Sequence, residues 1–120
     1  MKFLILPAFL LLAAFVQRAD AHAFLDHSEP AVGSVAKTPP KEVKLHFTEK
    51  LEPLLSTAQV FSAEGKPVPS QSLHTDPNDP FLLMVSLPQL RPGRYKVLWH
   101  AVSVDTHSTK GNFTFEVRPP

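Results

Sequence analysis

The chain has 120 residues, 43% of them hydrophobic, with 13 prolines, 4 glycines, no cysteine and a formal charge of +1. That length suits a single domain, and the apolar content is too high for a disordered chain. No basic stripe is visible, which argues against a nucleic-acid binder, whose affinity rests on phosphate contacts.

The first residues read as an address label. Lys2 precedes an apolar run of 14 residues, Phe3 to Val16, and Ala19-Asp20-Ala21 places small residues where signal peptidase reads. The run is shorter than a membrane-spanning helix needs, so residues 1–21 are expected to be a cleaved secretory signal. Cleavage after Ala21 leaves 99 residues beginning at His22. The 12 Lys/Arg and 11 Asp/Glu fall to 10 and 10 once Lys2, Arg18 and Asp20 are gone, so the mature charge is zero. No second hydrophobic span or polybasic cluster would hold the domain to a membrane. A chain of this size buries roughly 60–70% of its unfolded surface, enough for one core without disulfides. The product is expected to be a small, soluble, exported domain, with a monomer as the expected state.

The rest of the chain alternates short apolar and polar runs, broken by turn residues about every ten positions. A short strand is expected near Ala23 to Leu25. Val43, Leu45 and Phe47 share one face of a half-buried strand over Glu42 to Glu49. Gln59 to Ser62 forms another, reversed at Ala63-Glu64-Gly65-Lys66, and Ser70 to Pro80 reads as a long loop. Phe81 to Leu87 is nearly continuous apolar, as a core strand would be. Pro92-Gly93 turns the chain into Arg94 to Ser103, where Tyr95, Val97, Trp99 and Ala101 share a face. Phe113, Phe115 and Val117 mark the last strand. Proline falls almost entirely between these runs, which supports the boundaries and argues against long helices. About seven short strands in about 100 residues predict an all-β, immunoglobulin-like Greek-key sandwich.

Six histidines are present. His46, His74 and His100 read as solvated, and His27 as an exposed residue near a strand end, outside the ligand set. His22 differs, because cleavage before it would free an α-amine that can bind a metal together with the ring Nδ1. That amine loses its proton near pH 7.7–8.0 intrinsically, within reach of displacement by a Lewis-acidic metal. Asp105-Thr106-His107 supplies a carboxylate and an imidazole two residues apart, which on extended backbone face the same side. Amine, two imidazoles and a carboxylate form a mixed N,O set that suits Cu(II) better than a thiol-poor zinc site.

The resemblance becomes specific at this point. His22-Ala23-x-Leu25-x-x-Ser28-x-Pro30-Ala31-x-Gly33-Ser34 resembles the opening of mature CopC-type copper-resistance proteins. Val43-Lys44-Leu45-His46-Phe47-Thr48-Glu49 is similar to their next strand. The spacing G-x-Y-x-V-x-W-x-x-x-S-x-D-x-H over Gly93 to His107, with Gly111 and Phe113 after it, resembles their most specific motif. The resemblance implies a periplasmic β-sandwich that binds one Cu(II) per chain for copper carriage, buffering or resistance, without a catalytic cycle. It places the metal ligands on His22, Asp105 and His107, with Glu49 as a weak ligand or a neighbour of the ligands. It also implies an inner-membrane copper transport protein as a partner. Trp99 matches the family tryptophan, whose simplest role is core packing.

Two departures stand out. The family usually has glycine where this chain has Thr106, and a β-branched residue is strained wherever φ is positive. A methionine-rich Cu(I) segment is also missing, because only Met84 remains after the leader, in an expected core strand. Two other functions compete. A histidine-brace copper oxygenase would need an open coordination position beside two histidines, which Asp105 opposes. A metal-free structural sandwich would ignore copper even with His22 at its terminus. No nucleophile elbow or phosphate-binding loop supports a hydrolase or nucleotide enzyme.

Overall fold

The computed structural model describes residues 22–120, and the secretory signal expected over residues 1–21 lies outside them. Eight strands follow in order: β1 (Leu25–Glu29), β2 (Val35–Ala36), β3 (Glu42–Phe47), β4 (Thr57–Ser62), β5 (Ser72–Asp76), β6 (Asp79–Ser86), β7 (Gly93–Val102) and β8 (Ser108–Val117). They form two four-stranded sheets, ordered β1-β3-β6-β5 and β2-β8-β7-β4. No helix occurs among the described residues. The chain crosses repeatedly between the sheets, as the expected Greek-key sandwich requires.

Period-two alternation decides which side chains meet in the middle. Val43, Leu45 and Phe47 of β3 are buried while Glu42, Lys44 and His46 between them face outward. Tyr95, Val97, Trp99 and Ala101 of β7 face Phe113, Phe115 and Val117 of β8 along one antiparallel ladder. Each of the valine, leucine and phenylalanine side chains contributes about 1.5–3 kcal/mol when removed from water. Phe47 packs edge-on against Trp99 across the sheets, with ring centroids 5.2 Å apart. The Tyr95 hydroxyl donates to the Arg91 carbonyl at 2.6 Å, which lets a phenol sit at the core margin with its polar end satisfied.

Three boundaries differ from the sequence reading. The first strand is Leu25–Glu29, two residues beyond the expected Ala23 to Leu25. The strand β2 is added, a two-residue parallel pairing with β8 too short to leave a periodic pattern. β5 forms within the loop expected over Ser70 to Pro80. Four of its five residues are exposed, so it has no alternation to read, and its pairing with β6 supplies the order instead. Met84, expected in a core strand, is on β6 but on the outward side, half-buried between Lys44 and His74 in register.

Candidate metal centre

Two segments far apart in sequence meet at one end of the sandwich. The first is the arm preceding β1. Ala23 is fully buried, and its carbonyl accepts a hydrogen bond from the Thr109 hydroxyl on β8. The Phe24 amide donates to Thr48 Oγ1 at 3.0 Å, and the Thr48 amide donates back to the Phe24 carbonyl at 2.9 Å. The arm is therefore fastened to both sheets immediately after His22, which fixes where that residue leaves the fold.

The second segment is the Ser103 to His107 loop joining β7 to β8. The Ser103 amide donates to the His107 carbonyl at 2.9 Å and the Thr106 amide to the Ser103 carbonyl at 2.8 Å, closing a tight turn. The Val104 amide donates to the Lys50 carbonyl at 3.0 Å, which ties the loop to the segment following β3. Asp105 and His107 thus converge through a turn rather than by the side-sharing of an extended strand that the sequence suggested. Thr106 carries the turn at φ 71°, the left-handed region where glycine is favoured and a β-branched residue is strained.

The two segments bring three of the expected residues together. The rings of His22 and His107 lie edge to face with centroids 4.8 Å apart. His107 Nδ1 lies 3.5 Å from Asp105 Oδ2. The other oxygen of Asp105 accepts a hydrogen bond from the Ser103 hydroxyl, which is buried at the base of the loop. That bond is the largest influence on the Asp105 carboxyl and, aided by the nearby His107 and the loop amides, outweighs the opposing cost of burial and holds the carboxyl below its ordinary value. The carboxylate is accordingly ionised and acceptor-only at neutral pH. Two imidazoles and one carboxylate are a donor set that suits a first-row divalent ion, Cu(II) above all.

Glu49 is half-buried in the connection after β3. Its neighbours Thr48 and Lys50 make the backbone bonds to Phe24 and Val104, so its backbone passes between the arm and the loop. Trp99 lies in the core beneath, as its packing role predicts. Of the remaining histidines, His100 is exposed and His74 is joined to the Ser86 hydroxyl at 2.6 Å on the outer face of the first sheet.

His46 is the exception to the sequence reading. Its side chain is only 24% exposed, and its Nε2 is buried without a hydrogen-bond partner. Strand alternation correctly places it on the outward side, but covering by its neighbours across β1 depends on a register that no local pattern reveals.

Similarity to known proteins extends over nearly the whole described chain. The CopC domain profile matches residues 25–118. Protein YobA of Escherichia coli K12 is 36% identical over 99 residues, covering 82% of this chain and 80% of that protein. Copper resistance protein C of Pseudomonas syringae pv. tomato is 36% identical over 106 residues, with 83% of each chain covered. The crystal structure of CopC from Methylosinus trichosporium OB3b superposes with a TM-score of 0.77 at 31% identity, covering 82% of this chain and 95% of that one. A domain match that runs from the first strand to the last and includes the Ser103 to His107 loop shows that the chain belongs to the CopC family.

Proposed function

We propose that the chain is an exported, periplasmic copper-binding protein that holds one Cu(II) for carriage, buffering or resistance. The observation that carries this reading is the meeting of His22, His107 and Asp105, drawn from opposite ends of the domain. Removal of residues 1–21 leaves the domain 22–120 with His22 as its first residue, whose α-amine and ring Nδ1 then form a chelate. His107 supplies a second imidazole, and Asp105 supplies negative charge that offsets the cation. Glu49, between the two arms, adds a further carboxylate near the ligands.

The residues favour holding over catalysis. Ser103 fixes the Asp105 carboxylate by hydrogen bonding, and the Phe24–Thr48 and Ala23–Thr109 bonds fix the arm that carries His22. The centre is therefore organised before copper arrives, which lowers the ordering cost of binding. A third protein donor beside the two histidines leaves little room for oxygen, so the domain serves as a binding module and not as an oxygenase. The hard N,O set also binds Cu(I) poorly, so reduction would favour release towards an inner-membrane copper transport protein.

The experiment is Cu(II) titration of the domain beginning at His22, beside the same domain with one additional residue before it. Chelator competition gives affinity, and electron paramagnetic resonance gives the number of coordinated nitrogens. Tight binding lost in the extended form supports the amine–His22 chelate. Equal binding by both forms removes that chelate, and absence of binding by both leaves a metal-free sandwich.

A further inference from the structure

We infer that the outer face of the first sheet carries a second metal site, formed by His27, Glu29 and His46, for a divalent borderline ion of the Zn(II) or Cu(II) type. Each residue offers one donor atom, and the three atoms lie within 4.8 Å of one another. Neither His22 nor the β7–β8 loop contributes to it.

The backbone explains how the donors assemble. A bulge in β1 places Asp26 as an extra residue between the Leu25–Phe47 and His27–His46 pairs. Bulges bend a strand and re-aim its side chains. Here the bulge sets His27 directly opposite His46, and the two imidazoles stack with centroids 4.1 Å apart and planes 7° from parallel. Glu29, two residues further along β1, faces the same side and brings Oε1 to 3.9 Å from His46 Nε2.

Three features favour a metal over an ordinary surface cluster. His46 Nε2 is buried and makes no hydrogen bond. A buried nitrogen without a partner costs free energy that a metal bond would recover. His27 Nδ1 lies 2.7 Å from Asp26 Oδ2. A carboxylate only accepts, so in the neutral ring the proton sits on Nδ1 and Nε2 is the nitrogen that can bind a metal, the carboxylate–histidine arrangement that orients metal ligands. Lys44, opposite Glu29 in register, has its ammonium 3.6 Å from Glu42 and is thereby directed towards another carboxylate.

Two imidazoles and a carboxylate with remaining positions open to water form a set familiar for zinc and accessible to Cu(II). Metal–ligand bonds of about 2.1 Å bring tetrahedral donors to about 3.4 Å apart, so the triangle must contract by about 1.4 Å at its widest. His27 and Glu29 are both exposed, and unstacking His27 from His46 together with its Asp26 partner, also exposed, supplies that movement.

The test is Zn(II) titration of the domain beginning at His22, with the side-chain NMR signals of all the histidines followed separately. His27 and His46 are expected to shift together at micromolar Zn(II), with the His27 Nδ1 proton retained. His27→Asn and Glu29→Gln, both at exposed positions, are expected to weaken that response at least about 10-fold while leaving His22 and His107 unchanged, and Asp26→Asn to weaken it about 10-fold. Static His27 and His46 signals while His22 and His107 respond would overturn the second site alone. An unchanged His46 response in both His27→Asn and Glu29→Gln would also overturn it. Response of His27 and His46 without His22 and His107 would leave it standing, since the amino-terminal centre is proposed for Cu(II) and not for Zn(II).

Discussion

The indole of Trp99 lies directly over Gly111, its register partner on β8: a Cβ at position 111 would stand 2.5 Å from Cζ2 of the ring. The glycine is there for space, since the ring occupies the volume a side chain would need. Trp99 in turn packs edge-on against Phe47 of the opposite sheet, so the contact is continuous with the core. Both residues stand at the end of the ladder from which the Ser103 to His107 loop departs.

Gly111→Ala is therefore expected to destabilise the domain by about 1–3 kcal/mol, the usual cost of overpacking a filled core. Denaturant unfolding with tryptophan fluorescence measures both the stability and the displacement of the ring. A neutral substitution with an unchanged emission spectrum would show that the indole moves aside freely.

Thr106→Gly should act in the opposite direction. The position has φ 71°, and the threonine there gains only a local bond from its hydroxyl to the Asp105 carbonyl at 2.6 Å. Relief of left-handed strain is of order 1–3 kcal/mol, offset by about 0.5–1 kcal/mol for the greater freedom of glycine in the unfolded chain. A net gain of about 1 kcal/mol is the expected result, read as a higher melting temperature. A drop in melting temperature would mean that the hydroxyl bond outweighs the strain.

Much of this architecture was legible because local chemistry decided it. Alternation fixed β3 and β7, turn residues fixed the reversals, and β8 announced itself through Phe113, Phe115 and Val117. β2 and β5 were illegible for a common reason: both are held by pairing with neighbours and bury almost nothing of their own. The centre divides in the same way. His22, Asp105 and His107 were proposed from residue type, the expected cleavage point and family resemblance, whereas the turn that joins Asp105 to His107 depends on the backbone angle at Thr106. The His27–His46 stack was hidden completely, since it exists only through one bulge and one register.

Ser103 governs the ionisation of Asp105. Because the hydrogen bond from Ser103 is the largest cause of the lowered carboxyl pKa, Ser103→Ala should move it upward towards the ordinary carboxylate value of about 3.9. The sign for stability follows from linkage. A carboxyl whose folded pKa is depressed stabilises the fold above its unfolded pKa, and that contribution is lost as pH falls through the folded value. Ser103→Ala removes part of it, so the variant and the parent should differ in stability at neutral pH and converge in strong acid. Carboxyl carbon NMR titration reads the shift directly, and an unmoved Asp105 would assign the depression to His107 and the loop amides instead.

Thr109 tests whether the amino-terminal arm must be fastened for copper to bind. Its hydroxyl donates to the Ala23 carbonyl, one residue after His22, and no metal donor resides on Thr109 itself. Thr109→Val keeps the branched shape on β8 but removes the donor, leaving the arm held by the Phe24–Thr48 pair. Supporting contacts of this kind are worth about 10–100-fold in metal affinity when lost. Copper affinity by chelator competition is therefore expected to fall about 10-fold. The nitrogen count by electron paramagnetic resonance should stay the same, because every ligand remains. Unchanged affinity would show that Phe24 and Thr48 alone set the position of His22, and a lower nitrogen count would show that the arm detaches altogether.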